Sequence, residues 1–381
     1  MRGPSEEQRA IVEMVRDFAA ERIAPHAAAW DRDHHFPVDV LREAGALGMG
    51  AIYAREAFGG SALGRVDAAL VFEELAKACP TISAYISIHN MVVWMVDTFG
   101  DDAQRARWVP GLASMDELGS YCLTEPGAGS DAAALTTRAA RDGGDYVLTG
   151  VKQFISGAGA AAHYLVMART ADTGGRGITA FMVPAGAEGL SFGPPERKMG
   201  WNAQPTRQVV LDRVRVPAAD RLGAEGAGFG IAMQGLNGGR LNIGACSLGG
   251  GQAALDRSIA HLKERSAFGR PLIEQQTLLF ALADMETSLE CARTFLHRAA
   301  DALESGSPDA VRLCAMAKRV ATDAGFEVAN SAVQLHGGYG YLAEYGLEKI
   351  VRDLRVHQIL EGSNEIMRLI VGRMIAERRP G

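Results

Sequence analysis

Cysteine is sparse and carries no pattern. The five that occur, Cys79, Cys122, Cys246, Cys291 and Cys314, are odd in number, widely separated and never spaced as Cys-x-x-Cys. That spacing speaks against a disulfide framework and against a structural zinc site, and it favours a reducing compartment. Long apolar runs are missing too, none approaching the roughly 18 residues of a membrane-spanning helix. No block of Lys or Arg stands out, and 39 basic against 45 acidic side chains leave a net charge of -6. The phosphate-neutralising footprint of a nucleic-acid binder is therefore lacking. The first residues carry Glu6, Glu7, Glu13 and Asp17 where a signal or transit peptide is poor in acids. A cytoplasmic protein with no membrane span and no nucleic-acid partner is expected. Neither the dinucleotide-binding G-x-G-x-x-G nor the phosphate-loop G-x-x-x-x-G-K is found, so nicotinamide and ATP chemistry lose their usual markers.

What is present is a globular mixture, 48% hydrophobic and 22% charged over 381 residues, enough for two or three domains at about 150 residues each. The 45 glycines follow no period and point to tight turns or close backbone approach to a ligand. Ile11, Val15 and Phe18 recur at helical spacing behind Ser5, an N-cap residue followed by two acids. Residues 1–117 are read as an all-helical domain. Residues 118–222 turn to short β-rich runs at 146–149, 164–168, 178–183 and 208–216, divided by turn clusters, and are read as a small antiparallel β-barrel. In residues 223–381 the helical period returns: Leu278, Leu282, Met285, Leu289, Ala292 and Leu296 alternate spacings of four and three. Leu248, Leu255, Ile259 and Leu262 form a second stripe, and Leu313, Ala317, Val320 and Ala324 a third, which predicts a four-helix bundle. The expected class is mainly α with a β middle domain.

Several motifs are set aside. Gly189-Leu190-Ser191-Phe192-Gly193 matches the nucleophile elbow G-x-S-x-G, but an elbow needs a strand running into a helix, and Pro194-Pro195 forbids one here. The histidines show no metal spacing, since His34-His35 are adjacent and His336 and His357 lack a matching carboxylate pattern. Surface or capping roles are expected for them, and no metal site. Met91, Trp94 and Met95 read as core, with a pocket wall as the alternative.

Three segments are harder to explain as scaffold. Residues 121–131 leave a strand and become a glycine loop, where N-H groups freed by Gly127 and Gly129 and the hydroxyls of Thr124 and Ser130 can bond a polar heterocycle or a phosphate. An ordinary turn is the alternative. Residues 334–341 place several glycines at a helix end, where a C-cap alone needs one. In residues 359–365, Glu361 stands between Ile359-Leu360 and the turn at Gly362; desolvation there would raise its pKa towards the operating pH, the condition for proton abstraction. A cap or a surface ion pair is the competing role.

Residues 122–131 and 334–353 resemble the two sequence signatures of the acyl-CoA dehydrogenase family, in the right order and spacing, and the resemblance extends over nearly the whole chain. Residues 84–91, 201–207, 235–249 and 357–365 are most similar to its valine-degradation branch, which implies oxidation of isobutyryl-CoA to methacrylyl-CoA ahead of butyryl-CoA or 2-methylbutyryl-CoA. The resemblance implies FAD at a subunit interface. It assigns Tyr121, Leu123, Thr124, Gly129, Ser130, Phe154, Ile155 and Ser156 to the flavin side. It assigns Arg265, Phe268, Gln275, Gln276, Gln334, Leu335, Gly337 and Gly338 to the adenine and pyrophosphate end, partly from a neighbouring subunit, with Ser363 and Glu365 completing the set. Phe154 stands where many relatives have Trp, Glu365 where some have Gln, and Asn237 where some have Asp. Coenzyme A contacts carry over onto Ser130, Asn237, Arg240 and Arg373, and the catalytic base onto Glu361; the alternative base position corresponds to Gly239. Electron-transfer flavoprotein as acceptor and a homotetramer are implied likewise. A catalytically idle acyl-CoA or flavin binding protein, and an oxidase of the same superfamily, are the alternatives.

Overall fold

The computed structural model describes residues 5–377; residues 1–4 and 378–381, which the outer two expected domains include, lie outside the described residues. Helix α1 (Glu6–Phe18) starts at a reciprocal cap, the Gln8 N-H donating to Ser5 Oγ at 3.1 Å and the Ser5 N-H to Gln8 Oε1 at 2.9 Å. It buries Val15 and Phe18. Helices α2 (Ala27–Asp33), α3 (Val38–Ala46), α4 (Arg65–Ala78), α5 (Pro80–Phe99) and α6 (Asp102–Ala113) complete the first domain. Pro80 at the first turn of α5 costs no hydrogen bond there. Met91 and Met95 are buried along α5, and Trp94 meets Phe99 edge to face at 5.7 Å.

Helix then gives way to a sheet of eight strands: β1 (Gly119–Cys122), β2 (Arg138–Asp142), β3 (Asp145–Ser156), β4 (His163–Arg169), β5 (Ile178–Pro184), β6 (Leu190–Phe192), β7 (Thr206–Pro217) and β8 (Arg221–Leu222). Their order is β6-β7-β3-β2-β4-β5-β8, with β1 beside β4. The four β-rich runs of the sequence lie within β3, β4, β5 and β7. Strands β2, β6 and β8 escaped notice because they are short or bury little; β2 buries only Ala139. The sheet is not purely antiparallel, as β4 runs parallel to β1 and makes one parallel bridge to β2. The chain between β1 and β4 passes through β2 and β3, the long connection that parallel neighbours require. Ser191 lies exposed on β6, at one end of the sheet, with no helix after it.

Helix α7 (Gly228–Glu264) is the spine of the last domain, packed against α8 (Gln276–Glu304), α9 (Ala310–Leu335) and α10 (Leu347–His357); α11 (Asn364–Ala376) closes the chain on α9. Leu282, Met285, Leu289, Ala292 and Leu296 are buried in α8, as are Leu313, Ala317 and Ala324 in α9. The bundle is not self-contained, because α4 and α5 of the first domain also pack on α7. Small residues set the approach of α4 and of α9 to α7: a Cβ on Gly249 would lie 2.1 Å from the Glu73 carbonyl oxygen of α4, and one on Gly325 of α9 2.3 Å from that of Ser247. His336 and His357 are buried, so neither is a surface group; His336 does take the other role expected, as the C-cap of α9 with its Nδ1 2.8 Å from the Ala332 carbonyl, whereas His357 is a core residue. His89 is buried too, placed between the Leu112 carbonyl at 2.8 Å and the Gly119 N-H at 3.0 Å. No helix among the described residues is long and apolar enough to cross a membrane.

Candidate active site

A cleft of about 770 Å³ opens where β1, the end of β3, the loop 196–201, the first turns of α7 and the link between α10 and α11 converge. Its sharpest feature comes from that link. Helix α10 ends in two bonds to the Val356 carbonyl, from the Ile359 and Leu360 N-H groups, both at 2.9 Å. The chain then turns through Glu361 (φ +54°) and Gly362 (φ +92°) before Ser363 caps α11, its Oγ accepting the Ile366 N-H at 3.4 Å. Glycine takes the left-handed conformation freely, whereas glutamate pays strain for it, and such outliers gather at functional sites. Both Glu361 carboxylate oxygens are buried and neither has a hydrogen-bond partner. Burial raises the Glu361 pKa to about 7, against the opposing pull of Lys318 and Arg240.

Room for the carboxylate comes from α7, where a Cβ on Gly239 would lie 2.3 Å from Glu361 Oε2. The neighbouring Arg240 is buried, donating from Nη1 to Asn237 Oδ1 at 2.8 Å and from Nε to the Glu361 carbonyl at 3.4 Å. Asn237 is thus turned to Arg240, and only the latter lines the cleft, as do Ser130 and Arg373. Tyr121, Leu123, Thr124, Gly129, Phe154, Ile155 and Ser156 line it too. Tyr121 Oη is buried without a partner. Phe154 (φ +58°) sits at a register break in β3, which releases it from the ladder and leaves it 63% exposed on the cleft wall.

Two buried networks that sequence reasoning missed hold these walls. Glu125 accepts from the N-H groups of Thr136 (2.6 Å) and Thr137 (2.9 Å) and from Lys152 Nζ at 2.9 Å; Lys152 also reaches the Leu123 carbonyl at 3.1 Å. The alternation of Tyr146, Leu148 and Gly150 along β3 puts Lys152 on the inward face, a signal available in the sequence. In the second network the Trp201 N-H donates to Asp353 at 2.7 Å and Trp201 Nε1 to His357 Nε2 at 3.1 Å, while His357 Nδ1 meets Ser247 Oγ at 2.7 Å. Burial pushes the His357 pKa down to about 3, so the imidazole is neutral and able to accept from the indole. No local pattern announces that contact.

The remaining predicted residues lie outside the cleft of their own chain. Arg265, Phe268, Gln275 and Gln276 follow α7; Gln334 and Leu335 end α9, and Gly337 and Gly338 lie just beyond it. The structure brings these two segments together: the Arg265 guanidinium stacks on the Tyr339 ring at 5.4 Å, and His261 stacks on His336 at 4.2 Å. Phe268 is 96% exposed. Ser363 is an N-cap, and Glu365 faces outward, 3.2 Å from Arg368.

Comparison with known proteins adds a consistent picture. Residues 5–116, 120–214 and 226–376 match the N-terminal, middle and C-terminal domains, respectively, of acyl-CoA dehydrogenase. The chain is 50% identical over 375 residues to isobutyryl-CoA dehydrogenase, mitochondrial, of Bos taurus, covering 98% of this chain and 90% of that protein. It is 49% identical to the protein of the same name from Dictyostelium discoideum over 376 residues, with the same shares covered. The solved structure of butyryl-CoA dehydrogenase from Megasphaera elsdenii superposes with a TM-score of 0.96 at 35% identity, over 99% of this chain and all of that one.

Proposed function

Because the chain belongs to the acyl-CoA dehydrogenase family, FAD-dependent oxidoreductases acting on CH-CH bonds, we propose that it converts isobutyryl-CoA to methacrylyl-CoA with Glu361 as the base. The observation that carries this reading is the Glu361 carboxylate, enclosed, unpaired and raised to about 7 at the wall of the cleft. The short branched substrate rests on the likeness to the bovine and Dictyostelium proteins. Electron-transfer flavoprotein is the proposed acceptor.

The residues present fit FAD. Tyr121 Oη is a buried phenol in want of a partner, an added Cβ at Gly127 or Gly129 would meet nothing, and the Phe154 ring offers an apolar face. The proposed holders of the flavin are Tyr121, Leu123, Thr124, Gly129, Ser130, Phe154, Ile155 and Ser156. Arg265, Phe268, Gln275, Gln276, Gln334, Leu335, Gly337 and Gly338, remote from the cleft of their own chain, suit the cofactor of a neighbouring subunit in a homotetramer. When bound, FAD supplies a hydride acceptor for the β-hydrogen.

The chain's own residues carry the rest. Glu361 removes the α-proton, which ends on a carboxyl that burial already favours in its neutral form. The Glu361 N-H is the donor assigned to the thioester oxygen as enolate charge grows there. Ser130 and Arg373 receive the polar parts of coenzyme A, and Asn237 acts through Arg240.

The test is an anaerobic titration of the yellow protein, followed in the visible spectrum, with isobutyryl-CoA, 2-methylbutyryl-CoA and butyryl-CoA. Bleaching is expected at the lowest concentration with isobutyryl-CoA; one methylene in an apolar pocket is worth about 1–3 kcal/mol, or roughly 10- to 200-fold in preference. A protein that stays yellow with every thioester is an idle binder. A second expectation concerns Gly239→Ala. The added methyl would crowd Glu361 Oε2 at 2.3 Å, and because that oxygen ends a flexible side chain the fold is kept while the base is displaced. Stopped-flow flavin reduction should slow by about 10²-fold, the cost of a shift of about 1 Å in a reacting group. An unchanged rate would mean the carboxylate works from elsewhere.

A further inference from the structure

Lys318 lies within α9 and is fully buried, yet both of its hydrogen bonds go to neutral oxygens: Nζ donates to the Gly362 carbonyl at 3.0 Å and to Asn364 Oδ1 at 2.9 Å. Those acceptors lie in the turn that carries Glu361 and just after it. Asn364 in turn donates from Nδ2 to Thr322 Oγ1 at 3.0 Å and to Asp323 Oδ1 at 2.8 Å, and Gln358 Nε2 donates to the same Asp323 oxygen at 2.8 Å. One face of α9 therefore grips the α10–α11 link on both sides of its left-handed pair.

A buried ammonium needs a compensating charge. Glu361, Arg240, Asp323 and Glu365 all face Lys318. Asp323 is committed to Asn364 and Gln358, and Glu365 is exposed beside Arg368. Glu361 remains as a buried anion with no partner of its own. The groups that face Glu361 are Lys318 from α9, Arg240 and Cys246 from α7, Tyr121 from β1, and Tyr53 from the segment before α4. Only Lys318 and Arg240 are cations, and Arg240 is already bonded to Asn237 and to the Glu361 carbonyl.

We propose that Lys318 is a positioning residue for the base: its bonds to Gly362 and Asn364 fix the turn, and its charge keeps the Glu361 carboxylate ionised near neutrality. The proposal rests on the reading of Glu361 as the base. The sign follows from the surroundings. Burial alone drives Glu361 towards its neutral form, and of the two cations opposing it Lys318 has the larger influence, so losing that charge raises the Glu361 pKa and moves the acid limb of the rate profile upward.

The experiment is the pH dependence of the second-order rate of flavin reduction by isobutyryl-CoA, measured anaerobically on FAD-loaded enzyme, which reports the base of the free enzyme. In Lys318→Met the acid limb should shift up by about one unit, making the rate at pH 6 roughly tenfold lower and letting it recover as the pH rises. Lys318→Gln keeps donors for Gly362 and Asn364 but carries no charge, and the same shift is expected of it. It also carries the test if the methionine variant does not fold. A limb that stays in place in the glutamine variant, or a rate reduced by the same factor at every pH, overturns the proposal and leaves Lys318 a scaffold residue. If the unaltered enzyme is reduced by no thioester, the reading of Glu361 falls, and the Lys318 proposal falls with it.

Discussion

Glu361→Gln is expected to retain FAD and to lose flavin reduction by isobutyryl-CoA by about 10²- to 10⁴-fold or more, the usual contribution of a positioned general base. Glutamine keeps the size and the neutrality of the protonated acid, so the turn between α10 and α11 should survive and the melting temperature should change little. What disappears is the basicity that receives the α-proton: the amide oxygen keeps its lone pairs but is far too weak a base to hold that proton. Two other carboxylates line the cleft and cannot replace it. Asp131 is exposed, and Glu196 accepts from Gln153 Nε2 at 2.7 Å; neither is an enclosed, unpartnered acceptor. Stopped-flow reduction, together with spectral perturbation on adding isobutyryl-CoA, separates chemistry from binding: thioester should still perturb the flavin band while no longer bleaching it. Bleaching at the unaltered rate would remove Glu361 from the mechanism.

Glu361 was legible because its determinants are local. Apolar Ile359 and Leu360 precede it and Gly362 follows, so desolvation and a turn can both be read from seven consecutive residues. The same holds for the Ser5 cap and for the buried seam of α8, where helical periodicity alone fixes which side chains face inward. Strands β3, β4, β5 and β7 are long enough to show alternation or continuous burial; β6 and β8, at three and two residues, are not. Long-range pairings were the unreadable part. The bond from Trp201 to His357 spans 156 positions, that from Ser247 to His357 spans 110, and Lys318 reaches Asn364 across 46. A histidine isolated in a sequence reads as a surface group. What keeps His357 neutral is burial, and the indole and hydroxyl that partner it are brought there by a loop of the middle domain and by α7, both far away in sequence. The parallel pairing of β1 with β4 was hidden for the same reason, since only the path of the chain through β2 and β3 decides it.

Lys152→Met is expected to destabilise the protein by about 3–5 kcal/mol, the cost of removing one partner from a buried ion pair and leaving the other charged. The side chains of Lys152 and Glu125 are 0% and 3% exposed, so solvent does little to screen the loss. Burial pushes the Glu125 pKa up, but the Lys152 charge and the donors on Thr136 and Thr137 outweigh it and hold the carboxyl at about 2. A folded pKa below the usual unfolded value of about 4.3 contributes stability that is present above that value and lost as the pH falls towards 2. Without Lys152 the carboxylate has lost its counter-charge and gains from protonation instead. The gap in melting temperature between the two proteins should therefore narrow as the pH is lowered from about 5 to about 3, and Glu125→Gln added to Lys152→Met should recover part of the loss at neutral pH. The pair also bonds the Leu123 carbonyl, next to cleft residues Leu123 and Thr124, so the effect should reach the cofactor. Flavin fluorescence on dilution should show FAD leaving the variant faster than the unaltered enzyme. A lowered melting temperature with flavin release unchanged would confine the pair to holding β3 against the loop and deny it any part in the flavin site.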